Sequence, residues 1–417
     1  GGERAVPGLD GYWLHSTSHA WSRRRNSCTS CSWLTSVSAS YEVAVIGRGL
    51  IGASAARHLA EAGCKVVVIG PGEPADRRTS QGPFCSHPDE GRITRIAGRT
   101  PIWSQLAARS IARYADIAER SGIEFHKSCG LVSSSPKISE WLKNSELAGG
   151  KSRSVDSDWV LSSTGISLTN GHPALYEGAP AGYINPRSLV KAQTKLVVQA
   201  QGVVITESAS SITRRPDGYE IKGNCGSLFA DRILVATGAF GSELLKRPLD
   251  LRRMPRTTVT AELSINNDLP SLICVDPPDK RLEEIYWVPP VHYPDGRIAL
   301  KIGGALRDAK PVNSEALTAW FQGEGDSIEA EALKNCVIGL LPGVEVTSWA
   351  QKPCVVTNTA SGHPYIGWVE DGLAVALGGC GSAAKSSDEL GRLASKLFQS
   401  ERWSDSLPES AFDPLFN

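Results

Sequence analysis

The 417 residues are more than one simple core accommodates, so two domains are expected. Lys plus Arg and Asp plus Glu each total 44, which removes the electrostatic ground for bulk binding to nucleic acid or to an anionic membrane. With 41% hydrophobic and 21% charged residues the composition excludes a disordered chain and a coiled coil, and no apolar run approaches the roughly 18 residues of a membrane span.

Residues 1–40 are rich in Ser, Thr, Arg and Trp and poor in acids, and are expected to be a flexible or transit-like leader. That reading makes the compartment cytoplasmic, or organellar if the leader directs import. Cys28 and Cys31 form a lone C-x-x-C with no second pair at ligand spacing, so no metal site is expected. The other cysteines follow no compact framework, and most of them read as reduced, small buried residues.

The pattern then changes. Tyr41 to Ile46 is a short apolar run suited to a buried parallel strand, and Gly47-Arg48-Gly49-Leu50-Ile51-Gly52 follows it directly. A helical stretch with Ala55, Leu59 and Ala60 on one face ends at Gly63, and Lys65 to Ile69 reads as a second strand. Strand, glycine turn, helix and strand within about thirty residues define a dinucleotide-binding unit. Gly47 permits the turn, Gly49 admits a pyrophosphate and Gly52 lets helix and strand pack, while the helix N-terminus, with Leu50 and Ile51, offers free N–H groups. The acid that usually closes the second strand and holds the ribose is missing, because Gly70 stands there. Glu73 or the backbone of the Pro71-Gly72-Glu73 turn is left to take that role.

Further strands are expected at Val203–Thr206, Ile233–Ala236, Ile298–Ile302 and Leu373–Leu377, with a C-terminal helix over Ser386–Leu397. Ala230 to Ala239 reads as a strand ending in Ala236-Thr237-Gly238, and here the chain resembles the FAD-dependent amine oxidoreductases. Four more segments narrow the resemblance to the monomeric sarcosine oxidase group: Ser86-His87 with Gly91-Arg92-Ile93-Thr94-Arg95, Leu300-Lys301-Ile302-Gly303, Lys352 to Thr357, and Gly379-Cys380-Gly381-Ser382-Ala383-Ala384-Lys385. All five occur in register over about residues 41–400.

The resemblance implies an α/β fold in which a Rossmann-like FAD-binding domain (41–95, 183–250 and 350–400) is interleaved with a mixed-sheet substrate domain (96–182 and 251–349). It implies a small amine or amino-acid substrate, with dioxygen as electron acceptor, and leaves a monomer or small homo-oligomer open. Arg95 and Lys385 would pair with a substrate carboxylate, for which a guanidinium fork is suited. Arg92, three residues from Arg95 and on its side if the segment is helical, would lie near the flavin. Lys301, which strand alternation groups with Ala299 and Gly303, would assist reaction with dioxygen. Cys354 would carry a covalent flavin link. Ser86, Val204, Thr237, Gly238, Gly379 and Gly381 complete the implied cofactor contacts. The pocket departs from the group at Trp287, Ala305 and Ser382, which stand where a tyrosine and two histidines are usual, and Tyr286 and Trp287 are candidate pocket walls. Those departures keep two other readings open: a flavin dehydrogenase or biosynthetic oxidase of a larger, non-amino-acid substrate, and a catalytically idle flavin-binding protein.

Overall fold

The computed structural model describes residues 40–224, 226–264, 268–400 and 402–417. The Cys28/Cys31 pair and all of the leader but Ser40 lie outside them. Among the described residues, no helix is long and apolar enough to cross a membrane.

Two eight-stranded sheets carry the fold. In the first, Ser40–Ile46 pairs in parallel with Val66–Ile69 on one side and Ser227–Val235 on the other. Val203–Ile205 extends it beyond Val66–Ile69, and Leu373–Leu377 adds a parallel partner to the C-terminal half of Ser227–Val235. The central runs are almost entirely β-branched or small and buried on both faces, the condition under which parallel strands are stable. One face is covered by the helices Leu50–Glu61, Pro186–Gln199 and Ala383–Lys396.

Gly391 sets the closeness of two of these helices. A Cβ at that position would stand 2.4 Å from Ser54 Oγ and 2.6 Å from the Ala55 nitrogen. Asp388, one turn earlier, is fully buried and accepts from Ser54 Oγ (3.1 Å), Arg57 Nη2 (2.6 Å), Gln193 Nε2 (2.9 Å) and Arg113 Nε (2.5 Å). Burial alone would raise its carboxyl, but His58, Arg57 and Arg113 reverse this and hold it well below the usual range. A carboxylate so surrounded ties three segments of the chain to one point.

The second sheet runs Val346–Thr359, Leu251–Leu263, Ile298–Leu306, Leu282–His292, Ser271–Val275, Leu131–Ser134, Ala174–Glu177 and Ser152–Val155. Its outer face is packed by the helix Ser327–Leu340 over a core containing Leu300, Ile302, Trp287 and Leu333. Val346–Thr359 pairs with Leu251–Leu263 along nearly its whole length, so a unit boundary at residue 350 would cut through a strand. A three-stranded sheet of Arg92–Thr94, Gly182–Ile184 and His126–Ser128 completes the set. Arg92 and Arg95 therefore do not share a helical turn. The β-branched Ile93 and Thr94 between them favour the extended pairing with Gly182–Ile184.

Candidate active site

A cavity of about 1190 Å³ is lined by both large sheets, and most of the expected site residues border it, Gly52, Val204, Trp287 and Lys301 excepted. At one end lies the glycine turn. Gly47 has φ +110°, and a Cβ there would stand 2.3 Å from the Ala236 carbonyl oxygen. A Cβ on Gly52 would lie 1.8 Å from Gly47 O, so this glycine serves helix–strand packing, whereas Gly49 has open space above it. The helix Leu50–Glu61 has no side-chain cap and no acid in its first turn, so its leading N–H groups and positive dipole end stay available. Ser382 likewise gives no side-chain cap to Ala383–Lys396, whose first turn also lacks acids. Two uncapped helix starts thus border one cavity from widely separated parts of the chain.

Of the two groups expected at the ribose end, the carboxylate is engaged elsewhere, while Pro71 of the turn borders the cavity. Glu73 is taken by Arg187, which donates through Nε and Nη2 at 2.8 Å each. The space where an acid's Cβ would begin at Gly70 is filled by Arg48, whose backbone nitrogen lies 2.5 Å from that point. Arg48 borders the cavity together with Gly70, Pro71 and Ser208 to Ser210. Val204 does not reach it. Its side chain packs into the core between the first sheet and its helices, because alternation in Val203–Ile205 turns it that way.

At the far end Arg95 is 6% exposed and leans on the Trp141 ring, 5.1 Å from its centre. Its Nη1 is buried without a hydrogen-bond partner. Burial, followed by the neighbouring Arg99, brings the guanidinium down to about 10. Lys385 is 4% exposed, gives one hydrogen bond to Ser382 O at 3.0 Å and lies 5.2 Å from the Trp103 ring centre. Burial first, then Arg95 and Arg99, lower it well below the ordinary lysine range. Two buried basic groups in one cavity, both lowered by burial and by Arg99, define a place for an anion.

Arg92, Ser86, Thr237, Gly238, Cys354, Gly379, Gly381 and Ser382 also border the cavity. Cys354 is a free thiol, half-buried on Val346–Thr359, with its carbonyl receiving Trp320 Nε1 at 2.9 Å. Lys301 stands one layer back. It has no solvent exposure, and its ammonium bonds Asp89 Oδ2 at 2.7 Å and Gly91 O, behind the cavity-lining Arg92 and Tyr286. Trp287 corrects the sequence reading. It is fully buried in the second sheet's core, donating to Pro270 O at 3.0 Å, and strand alternation gives the cavity to Tyr286 instead.

Sequence reasoning assigned no role to Arg48, His87, Asp89 or Arg99. His87 lines the cavity with its Nδ1 buried and unpartnered, and burial followed by Arg48 brings its imidazole down to about 4. His87 lies within the Ser86-His87 motif and Arg48 within the glycine turn, so both are visible in the sequence as positions; what they face is not. The cradle at Gly49, the open helix starts and the unpartnered Thr237 Oγ1 and His87 Nδ1 fit an elongated, phosphate-bearing cofactor.

Residues 42–397 match the family described as FAD dependent oxidoreductase, and the chain belongs to that family. Among its relatives is the monomeric sarcosine oxidase of Bacillus sp. (strain B-0618), 24% identical over 247 residues, which are 56% of this chain and 62% of the relative. Another is an uncharacterized oxidoreductase, YurR, of Bacillus subtilis (strain 168), 26% identical over 217 residues, 48% of this chain and 56% of the relative. The matches thus span about three-fifths of these curated relatives' length. Similar solved folds include NikD, an amino acid oxidase of nikkomycin biosynthesis (TM-score 0.72, 16% identity, 90% of this chain and 98% of that one). Glycine oxidase from Geobacillus kaustophilus is also similar (TM-score 0.67, 18% identity, 89% and 98%).

Proposed function

We propose that this protein is an FAD-dependent oxidase of a secondary amine or N-substituted amino acid. The observation that carries the reading is the buried Arg95 guanidinium, with a nitrogen lacking a partner, in the same cavity as Lys385 and the glycine turn. The turn and the helix start at Leu50 would hold the pyrophosphate, and the second helix start at Ala383, with Arg92, would face the ring system. FAD held there would supply the redox chemistry, as hydride acceptor for the substrate and electron donor to dioxygen. Arg95 and Lys385 take the substrate carboxylate and so orient the carbon bearing the amine. Loss of that carbon's hydride gives an imine, which water hydrolyses, and hydrogen peroxide is the reduced product of dioxygen. A thioether from Cys354 to the flavin is part of the same reading, supported by the free thiol bordering the cavity.

The test is an anaerobic screen in which bleaching of the bound flavin is followed with a panel of N-substituted amino acids and simple amines. Bleaching by carboxylate-bearing amines, lost in Arg95→Met, is the expected result. Bleaching only by amines without a carboxylate, or full affinity retained in Arg95→Met, would overturn it. The withdrawn position of Lys301 favours one other reading, a dehydrogenase. In that case reduced enzyme would react with an artificial acceptor but hardly with air.

A further inference from the structure

The turn between Cys85 and Gly91 brings one carboxylate among three cations. Asp89 is 1% exposed and meets Lys301 Nζ at 2.7 Å, Lys352 Nζ at 3.4 Å and the Arg92 guanidinium. Its Oδ1 also accepts the Glu90 N–H at 2.9 Å. Position 89 lies in the gap between the Ser86-His87 and Arg92-to-Arg95 parts of the sequence motif, where the resemblance assigns nothing.

Lys301 needs such a partner. Its whole side chain is buried, and burial first, then Arg92 and Lys352, lower the ammonium well below the usual lysine range. The groups around it come from every packed element. Asp89 and Arg92 come from the turn and its strand, and Tyr286, with its ring centre 5.7 Å away, from Leu282–His292. Lys352 and Cys354 come from Val346–Thr359. On the helix Ser327–Leu340, Glu329 takes the Thr257 N–H on Oε2 at 2.6 Å, and its Oε1 is buried without a partner. Asp89 is the carboxylate in contact with the amine. A buried amine without it would shed its proton rather than remain an uncompensated charge.

We propose that Asp89 is the positioning residue for Lys301: its carboxylate keeps the buried amine as an ammonium and anchors it beside Gly91 O, behind the cavity wall of Arg92 and Tyr286. The proposal rests on the oxidase reading. In that reaction two electrons and two protons leave reduced flavin for dioxygen, giving hydrogen peroxide and oxidised flavin. The ammonium is not consumed and acts by favouring negative charge as it develops on oxygen.

The test uses FAD-loaded protein reduced with dithionite and mixed with oxygenated buffer in a stopped-flow instrument between pH 6 and 10. Lys301→Met should slow reoxidation at least about tenfold and flatten its pH dependence. Asp89→Asn should match the wild type at the acid end and lose rate on raising the pH, with a midpoint at least about one unit lower. Wild-type behaviour of Asp89→Asn beside a slow Lys301→Met overturns the proposal alone, whereas a fast Lys301→Met overturns the oxidase role of Lys301. A second readout does not depend on turnover or on the variant folding. In wild-type protein labelled with ¹³C at lysine Cε, the Lys301 signal should titrate with a midpoint above about pH 8; a midpoint below that value means a neutral amine and sinks the proposal.

Discussion

A guanidinium sealed from water with one nitrogen unbonded is expensive to keep, and Arg95 is kept that way. A bidentate carboxylate would satisfy it, so Arg95→Met should weaken carboxylate ligands by about 2–4 kcal/mol, read as a rise in the dissociation constant from flavin absorbance titrations. Trp287 gives the opposite case. Trp287→Phe empties volume and strands the Pro270 carbonyl, so it should destabilise the fold by about 1–3 kcal/mol in urea melts while leaving ligand affinity unchanged. For Cys354, acid precipitation of the holoprotein should carry the yellow colour into the pellet, and Cys354→Ala should release it to the supernatant. The residue types at the site were legible because a cation in an apolar run or after a glycine loop is conspicuous. Which of two neighbouring aromatics faces the cavity was not, since only the parity of the strand decides between Tyr286 and Trp287.

Among the elements, the glycine turn between strand and helix was fully legible, because steric demand and chain order lie side by side in the sequence. The end of the second long-range pairing was not. Val346–Thr359 is committed to its sheet by pairing with residues about ninety positions earlier, and nothing local marks residue 350 as its interior. The contact between the helices Leu50–Glu61 and Ala383–Lys396 is equally non-local. Gly391→Ala would drive a methyl group into Ser54 and Ala55, forcing the helices apart at a cost of about 1–3 kcal/mol. Because Ala383–Lys396 also starts at the cavity, the same change made in Cys354→Ala protein, where no thioether can retain the flavin, should hold FAD more weakly, measurable as a rise in free-flavin fluorescence on dilution. A lowered melting temperature with unchanged FAD retention would show that the two ends of this helix are uncoupled.

For the molecule as a whole, two buried groups give stability opposite dependences on pH. His87 is held at about 4, below its unfolded value near 6.5, so the unfolded chain binds the extra proton and stability falls as pH drops from about 6.5 towards 4. Glu329 is raised to about 7 by burial, so the folded chain holds that proton and stability falls as pH rises from about 4.5 towards 7. The two slopes overlap and partly cancel, so together these groups give a shallower pH dependence than either alone. His87→Gln should leave apoprotein that gains stability on acidification through this window, and Glu329→Gln should stabilise it at pH 8 by about 1–3 kcal/mol. Melting curves at several pH values check both signs. The neutral net charge of the sequence gave no hint of this, since it averages over a cation-rich cavity and the acids spent elsewhere.

The two uncapped helix starts that border the cavity lie more than three hundred residues apart in the chain. In the proposed binding mode a cofactor spanning both would act as a clasp, fastening early and late segments that lie far apart in the sequence. Its capture must await synthesis of the later helix, so a ribosome-bound chain stalled before residue 383 would present only half the grip. After capture, a single cut in a surface loop between the two would leave the fragments joined through the ligand. Nicked Cys354→Ala holoprotein should accordingly withstand more urea before its fragments separate on a sizing column than the same material stripped of FAD.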